Sequence, residues 1–247
     1  RNVAHHYDLS DKLYELFLDP DRQYSCAYFN SPNDTLEQAQ INKKELISKK
    51  LILEENQSVL DIGCGWGGMA AHIYKKSNAN VVGVTLSEEQ IAYAQQRKIR
   101  EKLEKVEYRL QDYRNVNEKY DRIVSVGMFE HVGTAHYQEF FNKVYDLLND
   151  SGVALIHTIG RLNEPGNTDP WIDKYIFPGG YIPALSETVS RVEKSGLSLT
   201  DVQVLRFHYA ETLKRWRYNF YDNIDKVKEI YDEKFCRMWD FYLSSSQ

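Results

Sequence analysis

The 247 residues are enough to form one α/β domain with a substantial core. A hydrophobic content of 42% and a charged content of 27% are ordinary for a soluble globular protein, and the net charge of −5 argues against a dedicated nucleic-acid binder. No apolar run approaches the roughly 20 residues of a membrane-spanning helix, and the first residues lack the apolar core of a secretion signal.

The N-terminal part of the chain predicts two helices separated by an aromatic segment. Apolar residues on one side of Tyr7–Phe17 predict the first helix, and Tyr24–Phe29 is predicted to be a turn or a short extended piece. Thr35 followed three residues later by Gln38 is typical of a helix start, and this second helix is predicted to run to about Leu51.

Strands and helices then alternate, which predicts a doubly wound, mostly parallel sheet with helices on both faces. The predicted strands are Ser58–Ile62, Asn80–Val84, Val106–Leu110, Tyr120–Met128 and Gly152–Thr158. The predicted helices between them are Met69–Lys76, Ser87–Glu104 and Ala135–Leu148.

A long insertion rich in proline, glycine and aromatic residues follows, at Gly160–Pro183. A helix at Leu185–Ser195, a strand at Leu199–Phe207 and two helical pieces ending near Leu243 complete the prediction. The strand that usually returns into such a sheet at the end is not found, and the first residue is not methionine. Both features are compatible with a longer original chain.

The stretch from Val59 to Gly68 is the most informative part of the sequence. An apolar run containing Asp61 ends in Gly63, Gly65 and Gly67, and a helix follows. Such a loop lets a ligand approach the backbone, and the helix start offers free N–H groups. A dinucleotide site would need an acid after the second strand, which the sequence lacks. The pattern therefore favours S-adenosylmethionine (AdoMet), with a ligand-free tight turn as the alternative.

Polar residues also follow the other predicted strands. Because ligands bind beyond the carboxyl ends of strands in open α/β sheets, we expect these residues to converge. They are Thr85 and Gln90 from the second strand and the helix start after it, Gln111, Asp112 and Tyr113 after the third, Glu130 and His131 after the fourth, and His157 and Thr158 at the end of the fifth, followed by the backbone of Ile159.

Several ordered motifs, together spanning nearly the whole chain, resemble the cyclopropane fatty acid synthase family, which includes mycolic acid cyclopropane synthases. These motifs are His5–Ser10, Tyr24–Phe29, Val84–Ser87, Met128–Gly133, Ile156–Gly160, Trp171–Pro183 and His208–Thr212. The resemblance implies the Rossmann-like fold of class I AdoMet-dependent methyltransferases. It divides one catalytic domain, 1–247, into an N-terminal helical cap (1–52), an AdoMet-binding core (53–159) and a lid-like insertion with the C-terminal part of the substrate site (160–247).

The resemblance also implies the site residues. The implied ligands of a bicarbonate that acts as base are Cys26, Glu130, His157, the backbone of Ile159, and Tyr209. The implied AdoMet contacts are Tyr24, Ser25, Asp61, Gly63, Gly65, Gly67, Thr85, Leu86, Gln90, Asp112, Tyr113 and Arg114. Many relatives carry tryptophan where this chain has Tyr113, and an aromatic platform for adenine survives the change.

The implied reaction transfers a methylene from AdoMet to the cis double bond of a phospholipid acyl chain. The implied setting is the cytoplasmic face of a membrane, with no nucleic acid and no transmembrane segment, and a homodimer is left open. Two alternatives remain: a related methyltransferase for another lipid or a small amine, and a regulatory AdoMet-binding module. The intact glycine loop and base-holding residues argue against the regulatory module.

Taken singly, several of these residues have simpler interpretations. Cys26 alone resembles a buried small apolar residue, and His157 alone resembles a core histidine. Cys64 and Cys236 are interpreted as structural, and three widely spaced cysteines favour reduced thiols over disulfides or a metal site. Four basic clusters could attract anionic headgroups, but solvated helix faces are the favoured interpretation. These clusters are Lys43-Lys44, Lys49-Lys50, Arg97–Lys105 and Lys214–Arg217.

Overall fold

The computed structural model describes residues 10–247. The motif at the start of the chain and the first residues of the predicted helix Tyr7–Phe17 therefore lie largely outside the described residues. The part of that helix within the described residues forms Asp11–Phe17, with the Ser10 hydroxyl accepting a hydrogen bond from the Lys12 N–H (3.2 Å).

Five parallel strands form one sheet in the order β3-β2-β1-β4-β5. They are β1 Ser58–Ile62, β2 Asn80–Thr85, β3 Val106–Leu110, β4 Tyr120–Val126 and β5 Leu148–His157. The direction in which successive strands are added reverses between β1 and β4. A crevice opens at such a reversal, because the connections that follow the two strands leave on opposite faces of the sheet.

Helices account for most of the remaining described chain. They are α1 Asp11–Phe17, α2 Leu36–Lys50, α3 Gly68–Ser77, α4 Glu88–Arg100, α5 Tyr137–Leu147, α6 Pro170–Tyr175, α7 Leu185–Lys194, α8 Arg206–Asp222, α9 Ile224–Ile230 and α10 Glu233–Ser245. Short 3-10 turns lie at Tyr113–Asn115, Phe129–His131 and Thr134–His136. Helix α2 begins as predicted, since the Thr35 hydroxyl accepts from the Gln38 N–H (3.2 Å), and the Ser87 hydroxyl caps α4 in the same way.

The chain divides into two compact units. The first unit spans Ile47–Val202 and contains the whole sheet. In its core, Val59, Val81 and Val124 contribute to one apolar cluster, which also contains residues of α3 and α4. Leu60 and Ile123, the neighbours of Val59 and Val124 along their strands, contribute to a second cluster with α5 and α7. Helices on both faces confirm the predicted doubly wound α/β fold.

The second unit contains residues 10–46 and 203–247. Its core is aromatic: the Phe17 ring meets Trp216 at 6.0 Å and Trp239 at 5.7 Å between centroids, both edge-on. All three rings are fully buried. Edge-to-face pairs of this kind add to the stabilisation from burial alone. Helices α1, α8 and α10 are therefore held together mainly by large aromatic side chains.

The predicted strand Leu199–Phe207 is wrong. Residues 199–205 form no strand, and α8 begins at Arg206. The segment contains several apolar residues, but Leu199, Val202 and Val204 are each about half exposed (48%, 49% and 54%). A β-like pattern forms a strand only when a neighbouring strand is available to pair with it. The end of the chain also forms three helices rather than the two predicted pieces.

Candidate active site

The glycine loop joins β1 to α3 with three residues in the left-handed region. Gly63, Gly65 and Gly67 have φ of 80°, 53° and 81°. Side chains other than glycine rarely adopt these angles, so the backbone itself explains the G-x-G-x-G pattern. The G-x-G-x-G loop therefore forms the tight strand-to-helix turn expected from the sequence.

The three glycines face different surroundings. A Cβ atom placed on Gly63 would lie 2.8 Å from the Met128 Cβ, and one on Gly67 would lie 2.6 Å from the Tyr108 ring. A Cβ on Gly65 would meet no described atom within 4 Å. Gly63 and Gly67 are thus required for packing, whereas Gly65 borders open space that a ligand could fill.

Neighbouring elements hold the loop in place. The Val84 carbonyl accepts hydrogen bonds from the N–H groups of Gly63 (2.9 Å) and Cys64 (3.0 Å). The Tyr108 hydroxyl donates to the Gly67 carbonyl (2.8 Å), and burial raises the pKa of this phenol. The loop is therefore held by hydrogen bonds to β2 and β3.

Asp61 lies in β1, directly before the loop, and is 1% exposed. Its backbone pairs with Gly83 on one side and Val124 on the other. A carboxylate in the central strand is costly to bury, and such residues are more often retained for a site than for packing. The structure thus places Asp61 at the base of the glycine loop.

The end of β2 and the residues after it form a small group of hydrogen-bonded side chains. The Thr85 hydroxyl donates to the Gln90 Oε1 (2.9 Å) and accepts from the Ser87 N–H (3.2 Å). Because its oxygen is occupied by Thr85, the Gln90 amide presents its NH2 group as a donor. Leu86 is 59% exposed. These residues can therefore offer one donor and one apolar surface to a ligand.

The residues after β3 are arranged differently. Asp112 accepts from the Arg114 N–H (2.9 Å) and pairs with the Arg114 guanidinium (2.6 Å), which lowers the pKa of Asp112. Tyr113 packs edge-on against Phe140 at 5.5 Å, and burial raises its pKa to about 12. The charges of Asp112 and Arg114 satisfy each other, so Tyr113 is the residue of this group best placed to serve as an apolar platform.

Glu130 lies in the turn after β4, is 9% exposed, and meets the end of β5. Its Oε1 accepts from the Ile159 N–H at 2.7 Å. Its Oε2 is buried and makes no hydrogen bond within residues 10–247. The Thr158 hydroxyl lies nearby but donates to the Ile159 carbonyl (3.0 Å). Burial raises the pKa of Glu130, and the Ile159 N–H partly offsets this effect.

The sequence did not predict how Ile159 is used. The Ile159 N–H donates to Glu130, so this backbone group positions the Glu130 carboxylate and is already occupied when a ligand binds. The carbonyl of His157, the last residue of β5, accepts from the Gly127 N–H (2.9 Å). Sequence reasoning also missed a contact from the insertion, in which the Tyr181 N–H donates to the Glu130 carbonyl (3.1 Å). Backbone contacts of this kind leave no signal in a sequence pattern.

In the second unit, the structure brings Cys26 close to helix α8. Cys26 is buried, its thiol donates to the Ala27 carbonyl (3.3 Å), and burial raises its pKa to about 12. The Ala27 N–H donates to the Thr212 hydroxyl (2.9 Å), one helical turn beyond Tyr209. Cys26 is therefore a neutral thiol, suited to a weak hydrogen bond rather than to nucleophilic attack.

Tyr24 and Tyr209 belong to the aromatic cluster of the same unit. Tyr24 lies 5.2 Å from Trp216 between ring centroids, and Tyr209 meets Trp216 edge-on at 6.2 Å. The Tyr24 and Tyr242 hydroxyls are 3.1 Å apart. Both predicted tyrosines are therefore held by a rigid aromatic packing.

The favoured interpretation of the basic clusters as solvated faces is wrong for three residues. Lys43 (1% exposed), Lys44 (7%) and Arg97 (3%) are buried. The Arg97 guanidinium donates to the Trp66 carbonyl (3.3 Å), which ties α4 to the glycine loop. Each buried cation has a polar partner that lies far away in sequence, so the charge pattern alone could not reveal its burial.

A family model described as mycolic acid cyclopropane synthetase matches residues 1–247. The chain belongs to this family. It is 43% identical over 97% of its length to the cyclopropane-fatty-acyl-phospholipid synthase of Escherichia coli K12, covering 62% of that relative. It is 39% identical over 98% of its length to a probable fatty acid methyltransferase of Pseudomonas putida, covering 64% of that relative. The chain thus spans less than two thirds of the length of these two relatives.

A solved structure of a family member supports the same fold. The mycolic acid cyclopropane synthase CmaA1, complexed with SAH and CTAB, superposes with a TM-score of 0.93 at 37% identity, covering 99% of this chain and 90% of CmaA1. The chain therefore has the Rossmann-like fold of class I AdoMet-dependent methyltransferases. None of the helices within residues 10–247 is long and apolar enough to cross a membrane.

The packing of Gly67 leads to a prediction about stability. We expect Gly67→Ala to lower the free energy of unfolding by roughly 2–4 kcal/mol, because left-handed strain and the clash with Tyr108 add together. Gly65→Ala is the control: its φ is 53°, but a Cβ there meets no described atom within 4 Å. Urea denaturation of both variants measures the difference, and equal losses would contradict the clash.

Proposed function

We propose that this family member is an AdoMet-dependent methyltransferase that converts cis double bonds of phospholipid acyl chains into cyclopropane rings. The observation that carries the proposal is Glu130. It is a buried carboxylate beyond the carboxyl end of β4, with one oxygen fixed by the Ile159 N–H and the other without a hydrogen bond among the described residues. An oxygen of this kind fits a small donor held in the crevice.

We assign the methyl donor to the crevice beside β1, where AdoMet would supply an electrophilic methyl group. Gly65 gives the ligand access to the backbone, and the Gln90 NH2 group is available as a donor. Tyr113 provides the adenine platform. The open space beside Gly65 is the feature of the structure that fits this cofactor, and we retain Tyr24, Ser25, Asp61 and Leu86 as further proposed contacts.

We assign the proton-accepting part of the site to Glu130, His157, the Ile159 backbone, Cys26 and Tyr209. Bicarbonate bound there would supply a base for the proton that leaves the new methyl group. Two anions repel unless a proton lies between them, and the Glu130 Oε2 can accept a hydrogen bond from a bound hydroxyl group. Histidine, tyrosine and thiol groups can donate to the remaining oxygens of the anion.

The reaction places clear demands on the protein. An alkene is a weak nucleophile, so it must be held against the methyl group in attack geometry. Formation of the new C–C bond would break the C–S bond of the bound donor, whose electrons would remain on sulfur, and would leave the other alkene carbon as a cation. Aromatic faces can stabilise this cation without trapping it. Loss of a proton from the new methyl group then closes the ring with the released C–H electrons.

We propose a corresponding division of labour along one catalytic domain. Residues 53–159 bind the cofactor, residues 1–52 form an N-terminal cap, and residues 160–247 contribute to the acyl-chain site. The acyl chains would be reached at the cytoplasmic surface of a membrane. The neutral state of Cys26 and the aromatic setting of Tyr209 support a role near an apolar substrate.

A second candidate function is methylation of a lipid double bond without ring closure. The similarity to a probable fatty acid methyltransferase of Pseudomonas putida is compatible with this alternative. Both reactions share the methyl transfer and differ in which proton leaves the cation. The product therefore distinguishes them, and the cofactor does not.

The first test is product analysis. The protein is incubated with methyl-labelled AdoMet and vesicles of cis-unsaturated phospholipid, and the acyl chains are examined by mass spectrometry and NMR. We expect labelled chains with cyclopropane ring protons. Labelled chains without ring protons would support the second candidate. Absence of label from the lipid, in a preparation that binds SAH, would contradict both.

The second test concerns Gly65. Gly65→Ala adds a methyl group to the open space beside the loop, and we expect affinity for SAH to fall by at least about tenfold, while the loss of stability stays at the roughly 1–2 kcal/mol of left-handed strain. Isothermal titration calorimetry measures the affinity, with Asn78→Ala, at φ 54° and ψ 26° after the end of α3, as the control for a left-handed alanine away from the loop. Unchanged affinity in Gly65→Ala would mean that the cofactor does not occupy this space.

The third test concerns Glu130. Glu130→Gln keeps the size of the side chain but removes its charge, so we expect SAH affinity to stay nearly constant while turnover falls by about a hundredfold or more. In the unchanged protein, the raised pKa of Glu130 should make turnover fall as pH drops through that value. A large loss of SAH affinity in Glu130→Gln would mean that Glu130 serves the cofactor instead.

A further inference from the structure

Helix α2 holds the segment before Cys26 through three polar side chains on one face. The Gln40 NH2 group donates to the carbonyls of Gln23 (3.1 Å) and Ser25 (3.0 Å). The Lys43 ammonium donates to the Gln23 Oε1 (2.7 Å) and to the Ser25 hydroxyl oxygen (2.8 Å). Lys44 pairs with Asp21 at 2.5 Å. A buried lysine at the centre of this arrangement has no role in the function proposed above.

Two acids and two lysines balance each other in this cluster. Lys44 pairs with Asp21, and the carboxylate of Asp19, which is also buried, accepts from the Gln23 N–H (2.8 Å). Burial lowers the pKa of Lys43 to about 8, against the attraction of Asp19. Lys43 therefore remains mostly protonated at neutral pH and acts as a donor only.

The charge of Lys43 can act outside the cluster only through Ser25. Lys43 itself is 1% exposed. Its other partner, Gln23, is itself buried, and its Nε2 donates to Asp21 (3.0 Å) within the same cluster while its Oε1 accepts from Lys43. The Ser25 hydroxyl accepts from Lys43, so its own hydrogen remains to be donated, and no described residue accepts it. Ser25 is partly exposed.

A hydroxyl group that accepts from an ammonium is a strengthened donor. Hydrogen bonds polarise one another along a chain, and the effect is larger where water is excluded. The preferred acceptor for such a group is an anion. AdoMet and SAH each carry one anionic group, the carboxylate of the amino-acid part. The buried charge of Lys43 and the remaining hydrogen of the Ser25 hydroxyl together therefore favour binding of a carboxylate.

We propose that Lys43 is a positioning residue that turns the Ser25 hydroxyl towards the carboxylate of the methyl donor and strengthens that hydrogen bond. The inference rests on the proposed AdoMet-dependent function, and it deepens that function by assigning recognition of one group of the cofactor. Lys43 does not touch the ligand itself. Its substitution should therefore weaken binding only of ligands that carry the carboxylate.

The test compares two ligands by isothermal titration calorimetry: SAH, and S-adenosyl-3-thiopropylamine, which is SAH without its carboxylate. The ratio of the two affinities is the carboxylate preference. We expect Lys43→Met to lower this preference by at least about tenfold, because a charge-assisted hydrogen bond is lost. Affinity for the amine should stay nearly constant, which a general structural defect would not produce.

Lys44→Met is the matched control. It removes a neighbouring buried ammonium from the same helix and breaks the pair with Asp21, but it keeps the Lys43 ammonium that donates to the Ser25 hydroxyl. We expect this variant to lose stability without losing carboxylate preference. If Lys43→Met does not fold, Ser25→Ala carries the test, because it keeps Lys43, Gln23 and both Gln40 hydrogen bonds. It should lose the same preference.

The outcomes separate the two levels of proposal. If the unchanged protein binds neither ligand, the AdoMet-dependent function itself fails. If it binds both with equal affinity, or if Lys43→Met or Ser25→Ala weakens both ligands equally, the inference about Lys43 is overturned while the function stands. A double variant that loses no more preference than either single variant would support action through Ser25, since coupled groups are not additive.

Discussion

Parallel pairing of β1 with both β2 and β4 is the constraint on which the candidate site depends. It aligns the carboxyl ends of three strands. The glycine loop after β1, the residues after β2 and the turn after β4 that contains Glu130 therefore all begin at one edge of the sheet. The reversal of strand order at β1 and β4 keeps this edge free of a crossing connection. The close approach of Gly63 to Met128 then joins the loop after β1 directly to the turn after β4.

The polar groups at this edge of the sheet are of two kinds, a charge pair near the surface and a buried carboxylate. Asp112 and Arg114 satisfy each other near the surface, and such exposed pairs contribute little to stability. Glu130 is buried, receives one fixed N–H and has a raised pKa, so its burial costs free energy that packing alone does not recover. The unfavourable free energy of burying Glu130 is thus found where the proposed reaction needs a proton acceptor.

The sequence predicted local and buried features well. The central strands were found because strands inside a parallel sheet are covered on both faces and contain short apolar runs, and the edge strand β3 was found from its alternating Val106, Tyr108 and Leu110. The Thr35 and Ser87 caps were found because a cap involves only a few consecutive residues. The strand at Leu199–Phe207 was wrong because strand formation depends on a neighbouring strand. Long-range polar contacts, such as Lys43 with Ser25 or Glu130 with Ile159, could be predicted only as convergence at one edge, never as particular bonds.

The contact between Gly67 and Tyr108 has a consequence for how this family can diverge. The Tyr108 ring fills the volume that a side chain at position 67 would need, and its hydroxyl holds the Gly67 carbonyl. A smaller residue at 108 would free that volume but release the carbonyl, and a larger residue at 67 would displace the ring. Neither position can therefore change alone without loss. Because the left-handed φ at position 67 also favours glycine there, a change at 108 acts on the glycine loop, although the two sites lie 41 positions apart in the chain.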